Sequence, residues 1–192
     1  MRYHLPRGAT SDQSQHDLPL GVQMKSSIVL AMHGAPPNDF PRREMAEMFS
    51  LRSRLGHSSD SAGGEAESRY AELEARMRAW PRTAQNDPYH AASYELASQL
   101  SRLTECPVVV GFNEFCSPSL DEALNQAAVQ ADRRVVIITP MMTRGGEHSE
   151  VDIPAAVERA RQRYPEIDFH YQWPFHVSEI ARFLASQIRH VL

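Results

Sequence analysis

Ser27-Ile28-Val29-Leu30-Ala31-Met32 is an almost unbroken apolar run that stops abruptly at His33-Gly34-Ala35-Pro36-Pro37. A strand with one wet face would alternate polar and apolar residues, and this one does not, so it reads as a strand covered on both faces. Pro107-Val108-Val109-Val110-Gly111-Phe112 and Arg134-Val135-Val136-Ile137-Ile138-Thr139 repeat the pattern. All three are expected in the interior of a sheet. In a fourth run Ile167, Phe169, Tyr171 and Trp173 alternate with Asp168, His170 and Gln172, which leaves one face wet and places this strand at an edge.

The stretches between these runs carry helical spacing. Met45, Met48, Phe49 and Leu55 mark a stripe within residues 41–55, and Ala66, Tyr70, Leu73, Met77 and Trp80 mark a second. Asp87-Pro88 reads as a cap and first-turn proline for a helix facing the core through Leu96, Leu100 and Leu103. Ser117-Pro118 repeats that signal ahead of Leu120 and Leu124. Ile153, Val157, Ala160 and Tyr164 outline the next helix, and Ile180, Phe183, Leu184, Ile188 and Val191 the last. Strands alternating with helices define the fold class: α/β, a doubly wound, mainly parallel four-stranded sheet with helices on both faces.

At 192 residues the chain is long enough for one well-filled domain. Residues 27–192 form that domain, with an extended helical and loop insertion around 35–105. Residues 1–26 lack periodicity and read as a flexible tail, and the Ser/Gly-rich residues 56–64 as a poorly ordered loop. The net charge of −4 gives no general attraction to nucleic acid or to an anionic membrane, and no apolar run reaches the roughly 18 residues that a membrane span needs. Two cysteines, Cys106 and Cys116, make neither a disulfide scaffold nor a zinc finger, and a reducing cytoplasm is the expected compartment.

Ligands of open parallel sheets bind beyond the carboxyl ends of the strands. The four exits deliver His33 and Gly34; Asn113 and Glu114; Arg144, Gly145, Gly146 and His148; and His176. Taken singly, each imidazole or carboxylate has a packing or helix-capping explanation. Their arrival at one edge points to a site, since imidazole and carboxylate both bind divalent metals and accept protons near neutral pH. Gly34, Gly145 and Gly146 leave room for a flat, bulky ligand to approach the backbone, and Arg42, Arg43 and Arg144 offer a local basic patch for its carboxylates. The remaining histidines, His4, His16, His57, His90, His170 and His190, are expected to be solvated.

Ile28-Val29-Leu30-Ala31-Met32-His33-Gly34, Glu114-Phe115-Cys116-Ser117-Pro118-Ser119-Leu120 and Gly145-Gly146-Glu147-His148-Ser149-Glu150-Val151-Asp152-Ile153-Pro154 resemble the successive motifs of the class II tetrapyrrole chelatases of the CbiX and sirohydrochlorin chelatase type. The resemblance implies insertion of a divalent metal, Co²⁺, Fe²⁺ or Ni²⁺, into a sirohydrochlorin-like tetrapyrrole, with no organic cofactor. It assigns metal binding and proton uptake to His33 and His148, and a third ligand or proton acceptor to Glu114. Gly34, Arg42, Arg144, Gly145, Gly146 and His176 fall to the substrate. A single four-stranded unit corresponds to half of the two-lobed chelatases, which implies a homodimer. The connection from Gly34 to Cys106 is longer than in the short members of that family. Two other readings stay open: a metal- or tetrapyrrole-binding carrier without turnover, and a histidine-phosphatase-like hydrolase, against which Met32 stands where that chemistry uses an arginine.

Overall fold

The computed structural model describes residues 25–57, 64–189 and 191. In chain order the elements are β1 (Ser26–Met32), α1 (Arg42–His57), α2 (Glu65–Arg78), α3 (Pro88–Thr104), β2 (Val108–Phe112), α4 (Leu120–Gln130), β3 (Arg134–Ile138), a π turn (His148–Asp152) running into α5 (Ile153–Arg163), β4 (Asp168–Tyr171) and α6 (Val177–Ile188). The strands form one parallel sheet in the order β2-β1-β3-β4. Residues 1–24 and 58–63, where the tail and most of the loop were expected, lie outside the described residues.

The period of two along β1 divides the core. Val29 and Ala31 face one layer, where they join Val135, Ile137 and Phe169 beneath Leu124 and Ala127 of α4 and Ile153 and Val157 of α5. Leu30 and Met32 face the other, with Val110 and Phe112 against Met48 and Leu51 of α1, Leu73 and Met77 of α2 and Ala97 of α3. The long connection between β1 and β2 therefore supplies one entire layer of the domain. Asp87 caps α3 by accepting the His90 N–H at 2.9 Å, and Pro88 occupies the first turn.

Several expectations change. The β2 strand lies at an edge of the sheet, not in its interior, because its apolar sequence reports helices covering its faces and says nothing about a neighbour on each side. The cap of α4 is Ser119 rather than Ser117: its hydroxyl accepts the Glu122 N–H at 3.3 Å while Glu122 accepts the Ser119 N–H at 2.6 Å, a reciprocal pair. On α3 the small residues Ser93 and Ala97 are buried, whereas Leu96 is 42% and Leu103 84% exposed. No residue of α6 is buried. Periodicity identifies the apolar side of a helix; whether the same chain covers that side depends on how the helix is docked. His90 is half-buried, its ring stacked on Phe112 at 5.3 Å, and burial lowers its pKa. Among the described residues no helix is long and apolar enough to cross a membrane.

Close contact between β2 and α4 depends on Gly111. A methyl group there would sit 2.7 Å from the Ala123 Cβ and 3.2 Å from the Leu120 Cα. Gly111→Ala should therefore lower stability by about 1–3 kcal/mol through overpacking, read as a lower urea midpoint at unchanged slope. An unchanged midpoint would show that α4 gives way freely.

Candidate metal centre

The register of β1 and β2 sets up the first two groups. Met32 lies opposite Phe112, and pairing continues past both strands: the Asn113 N–H donates to the Met32 carbonyl and the Glu114 N–H to the His33 carbonyl, both at 2.9 Å. Asn113 adds a side-chain bond to the Met32 carbonyl at 2.9 Å. Gly34, at φ +103°, makes the approach possible, because a Cβ there would fall 1.9 Å from the Glu114 carbonyl oxygen. Its missing side chain thus admits the backbone that carries Glu114.

His148 arrives from the far side of β1, on the π turn ahead of α5. Its ring lies edge-on to that of His33, with centroids 4.5 Å apart. The two imidazoles are held alike. His33 Nδ1 is 2.9 Å from the Gly34 carbonyl, and His148 Nδ1 is 2.5 Å from Asp152 Oδ2. A carbonyl or ionised carboxylate only accepts, so Nδ1 carries a proton in both rings, and in the neutral imidazole this leaves the lone pair on Nε2. His148 Nε2 stands 3.8 Å from Glu114 Oε1, too far for a hydrogen bond and a gap that two metal–ligand bonds of about 2 Å can span. One ligand atom each from His33, Glu114 and His148 fall within 4.8 Å of one another, and this is the metal-capable cluster among the described residues. Three protein ligands that leave further positions open suit a metal that reacts or is passed on, more than one that holds a fold together.

The frame beneath is cationic. Arg52 on α1 donates to Glu114 Oε1 at 2.5 Å, a bond that holds its guanidinium more basic than an ordinary arginine. The Arg82 and Asp87 side chains form an ion pair only 6% and 1% exposed. Arg82 donates in addition to the carbonyls of Ala35 at 2.8 Å, Met77 at 2.9 Å and Phe115 at 2.5 Å, tying both strand exits to the end of α2. Arg78 does the same for the carbonyls of Cys116 at 2.9 Å and Asn113 at 3.1 Å. None of these arginines is visible as a site residue in the sequence. Asp152 could have been found, since residues 148 and 152 share a face once the segment is helical.

The other expected substrate residues stand outside the three-residue cluster. Arg144 lies with its guanidinium 6.0 Å from the Trp173 ring. Gly145, at φ +91°, donates its N–H to Glu150 at 3.0 Å, and the Gly146 carbonyl accepts from the Ser149 hydroxyl at 3.0 Å. Arg42 is exposed at the start of α1, and His176 is exposed at the N-cap position of α6 without a capping bond.

Cys116 sits in the buried frame, its thiol 3.5 Å from the Ala35 carbonyl, and burial pushes its pKa up. Only the thiolate attacks an alkylating agent. Alkylation at mildly alkaline pH should label the partly exposed Cys106 and leave Cys116 unmodified until the protein is unfolded, as mass spectrometry would show. Equal labelling of both would mean that the frame opens in solution.

The CbiX family model matches residues 84–190, more than half of the chain. A sirohydrochlorin cobaltochelatase of Priestia megaterium is 34% identical over 70 residues, which are 36% of this chain and 22% of that protein. A sirohydrochlorin ferrochelatase of the same organism is 30% identical over 70 residues, 36% of this chain and 26% of that protein. The matched segment thus spans about a quarter of either relative's length. The crystal structure of the sirohydrochlorin chelatase SirB from Bacillus subtilis subspecies spizizenii in complex with cobalt aligns with 88% of this chain and 51% of its own, at 15% identity and a TM-score of 0.43. Because the family match runs from the turn before α3 through α6 and takes in both Glu114 and His148, the chain belongs to the CbiX family.

Proposed function

We propose that this protein inserts a divalent metal, Co²⁺, Fe²⁺ or Ni²⁺, into a sirohydrochlorin-like tetrapyrrole. The observation that carries the reading is the convergence of three ligand atoms, with both imidazoles anchored through Nδ1 so that Nε2 is the nitrogen left for a metal. His33 and His148 take the metal through Nε2, and Glu114 is the third ligand or a proton acceptor. Insertion displaces two N–H protons from the macrocycle, so the bases that held the metal stand where protons must go as it leaves. Asp152 fixes the orientation of the His148 ring, the part that carboxylates commonly play behind metal-ligating histidines. Arg42, Arg144, Gly145, Gly146 and His176 are proposed to meet the substrate, the arginines through its carboxylates, whereas Gly34, expected to leave room for the ligand, is buried against the Glu114 backbone. The protein is proposed to work in the cytoplasm.

A homodimer is part of the same reading. Val177, Phe183, Leu184 and Ile188 on α6 are 80%, 48%, 53% and 50% exposed, beside an apolar groove of about 300 Å³ lined by Leu96, Leu100, Ile138, Met142, Phe175 and Ile180. An apolar helix face of this kind favours a covering partner. Sedimentation at micromolar concentration should give a species of twice the 21.7 kDa chain, and Phe183→Asp should convert it to monomer with its helix content unchanged. A wild-type protein that sediments only as monomer would remove the dimer.

Function is tested by following the tetrapyrrole absorption spectrum while purified protein is mixed with sirohydrochlorin and Co²⁺, Fe²⁺ or Ni²⁺ in turn. His33→Ala and His148→Ala should each lower insertion at least about 100-fold, and Asp152→Asn about 10–100-fold through metal affinity. His170→Ala, exposed on β4, should be silent. Wild-type rates in both histidine variants at saturating metal would refute the mechanism, and metal binding without insertion would make the protein a carrier.

A further inference from the structure

The oxygen of Glu114 nearest to His148 is already engaged. Arg52 Nη2 donates to Oε1 at 2.5 Å, and the same Oε1 stands 3.8 Å from His148 Nε2. A metal ligated there shares its carboxylate with a guanidinium that stays charged at every physiological pH. We propose that Arg52 is a positioning residue that keeps the metal loosely held, by competing with it for the Glu114 carboxylate; the proposal rests on the metal-insertion reading above.

Geometry and charge agree on this role. The Glu114 side chain is only 16% exposed, so it needs a positive partner whether or not a metal is present. Arg52 supplies that partner when the metal has left, and adds a like charge beside the metal when it is bound, which weakens the metal's hold. The Arg52 side chain is 48% exposed and enters from α1 beside a polar cleft of about 200 Å³ lined also by Tyr70, Glu74 and Asp152. It can move back without unpacking the core. Arg78, the next cation along this wall, is occupied by Glu74 at 3.2 Å and by two backbone carbonyls, so Arg52 is the one directed at the ligand oxygen. A metal that is cargo must leave, and a ready counter-ion for Glu114 makes its departure easier.

The test is a calorimetric titration of the tetrapyrrole-free protein with Co²⁺. Arg52→Gln keeps a hydrogen-bond donor and loses the charge; it should bind Co²⁺ about tenfold more tightly, and the Co²⁺-loaded variant should pass its metal to sirohydrochlorin more slowly in a single turnover. Arg52→Lys, which keeps the charge, should bind like the wild type. In a Glu114→Gln background Arg52→Gln should gain clearly less than in the wild type, because only the like-charge repulsion is left to relieve. Unchanged or weaker Co²⁺ binding by Arg52→Gln overturns the proposal, since Arg52 would then merely steady Glu114. His33→Ala separates the two levels. If it loses Co²⁺ binding while Arg52→Gln gains none, only the role of Arg52 falls. If it binds Co²⁺ like the wild type, the metal site falls and the role of Arg52 with it.

Discussion

Parallel, in-register pairing of β1 with β2, carried two residues beyond the strands, is the constraint on which the rest of this molecule depends. The Asn113 and Glu114 N–H groups bond to the Met32 and His33 carbonyls, so the chain leaving β2 lies directly against the chain leaving β1. Such a zip needs one position without a side chain, and Gly34 provides it at a positive φ. His33 and Glu114, 81 residues apart in sequence, become neighbours as a result of backbone hydrogen bonds. A side chain at residue 34 would push Glu114 away from both histidines. The site is thus an outcome of sheet geometry before it is an outcome of side-chain choice.

Rigidity comes from the layer contributed by the long connection between β1 and β2. Arg82 and Asp87 are buried together, and the five-donor guanidinium reaches four carbonyls, those of Ala35, Met77, Trp80 and Phe115. A buried ion pair of this kind is a weak contributor to net stability, but removal of either partner leaves an uncompensated charge, at a cost of about 3–5 kcal/mol. The pair therefore makes α2, α3 and both strand exits move as one. Arg52 reaches Glu114 from the same layer, so the connection both braces the site and enters it.

The opposite extreme is α6. It carries an amphipathic sequence with none of its residues buried, beside Leu96 and Leu100 of α3. Within one chain these side chains gain little from burial. The groove between them runs up to Pro140 and Met142, just past β3, so whatever covers α6 also approaches the strand exits.

The amino-acid sequence by itself determined the element types, the parallel α/β class and the edge position of β4, because continuous or alternating apolar runs directly encode how many faces of a strand are covered. It also determined the residues that strand exits deliver to one edge, since a parallel sheet sends every strand's end to the same side. Strand order was not legible: β1 and β2 are equally apolar, and only the tertiary structure shows β1 inside and β2 at the edge. Burial on α3 and α6 was misread for a related reason, as a helical stripe names a face without naming what it meets. Of the site, His33, Glu114 and His148 were visible as chemistry, and the tertiary structure decided that their ligand atoms converge. The tautomer of each ring, the link from His148 to Asp152 and the arrival of Arg52, Arg78 and Arg82 rest on contacts across turns and layers. Arginine is common on helix surfaces, and its sequence position carries no information about which carbonyl or carboxylate it will reach once the layers pack.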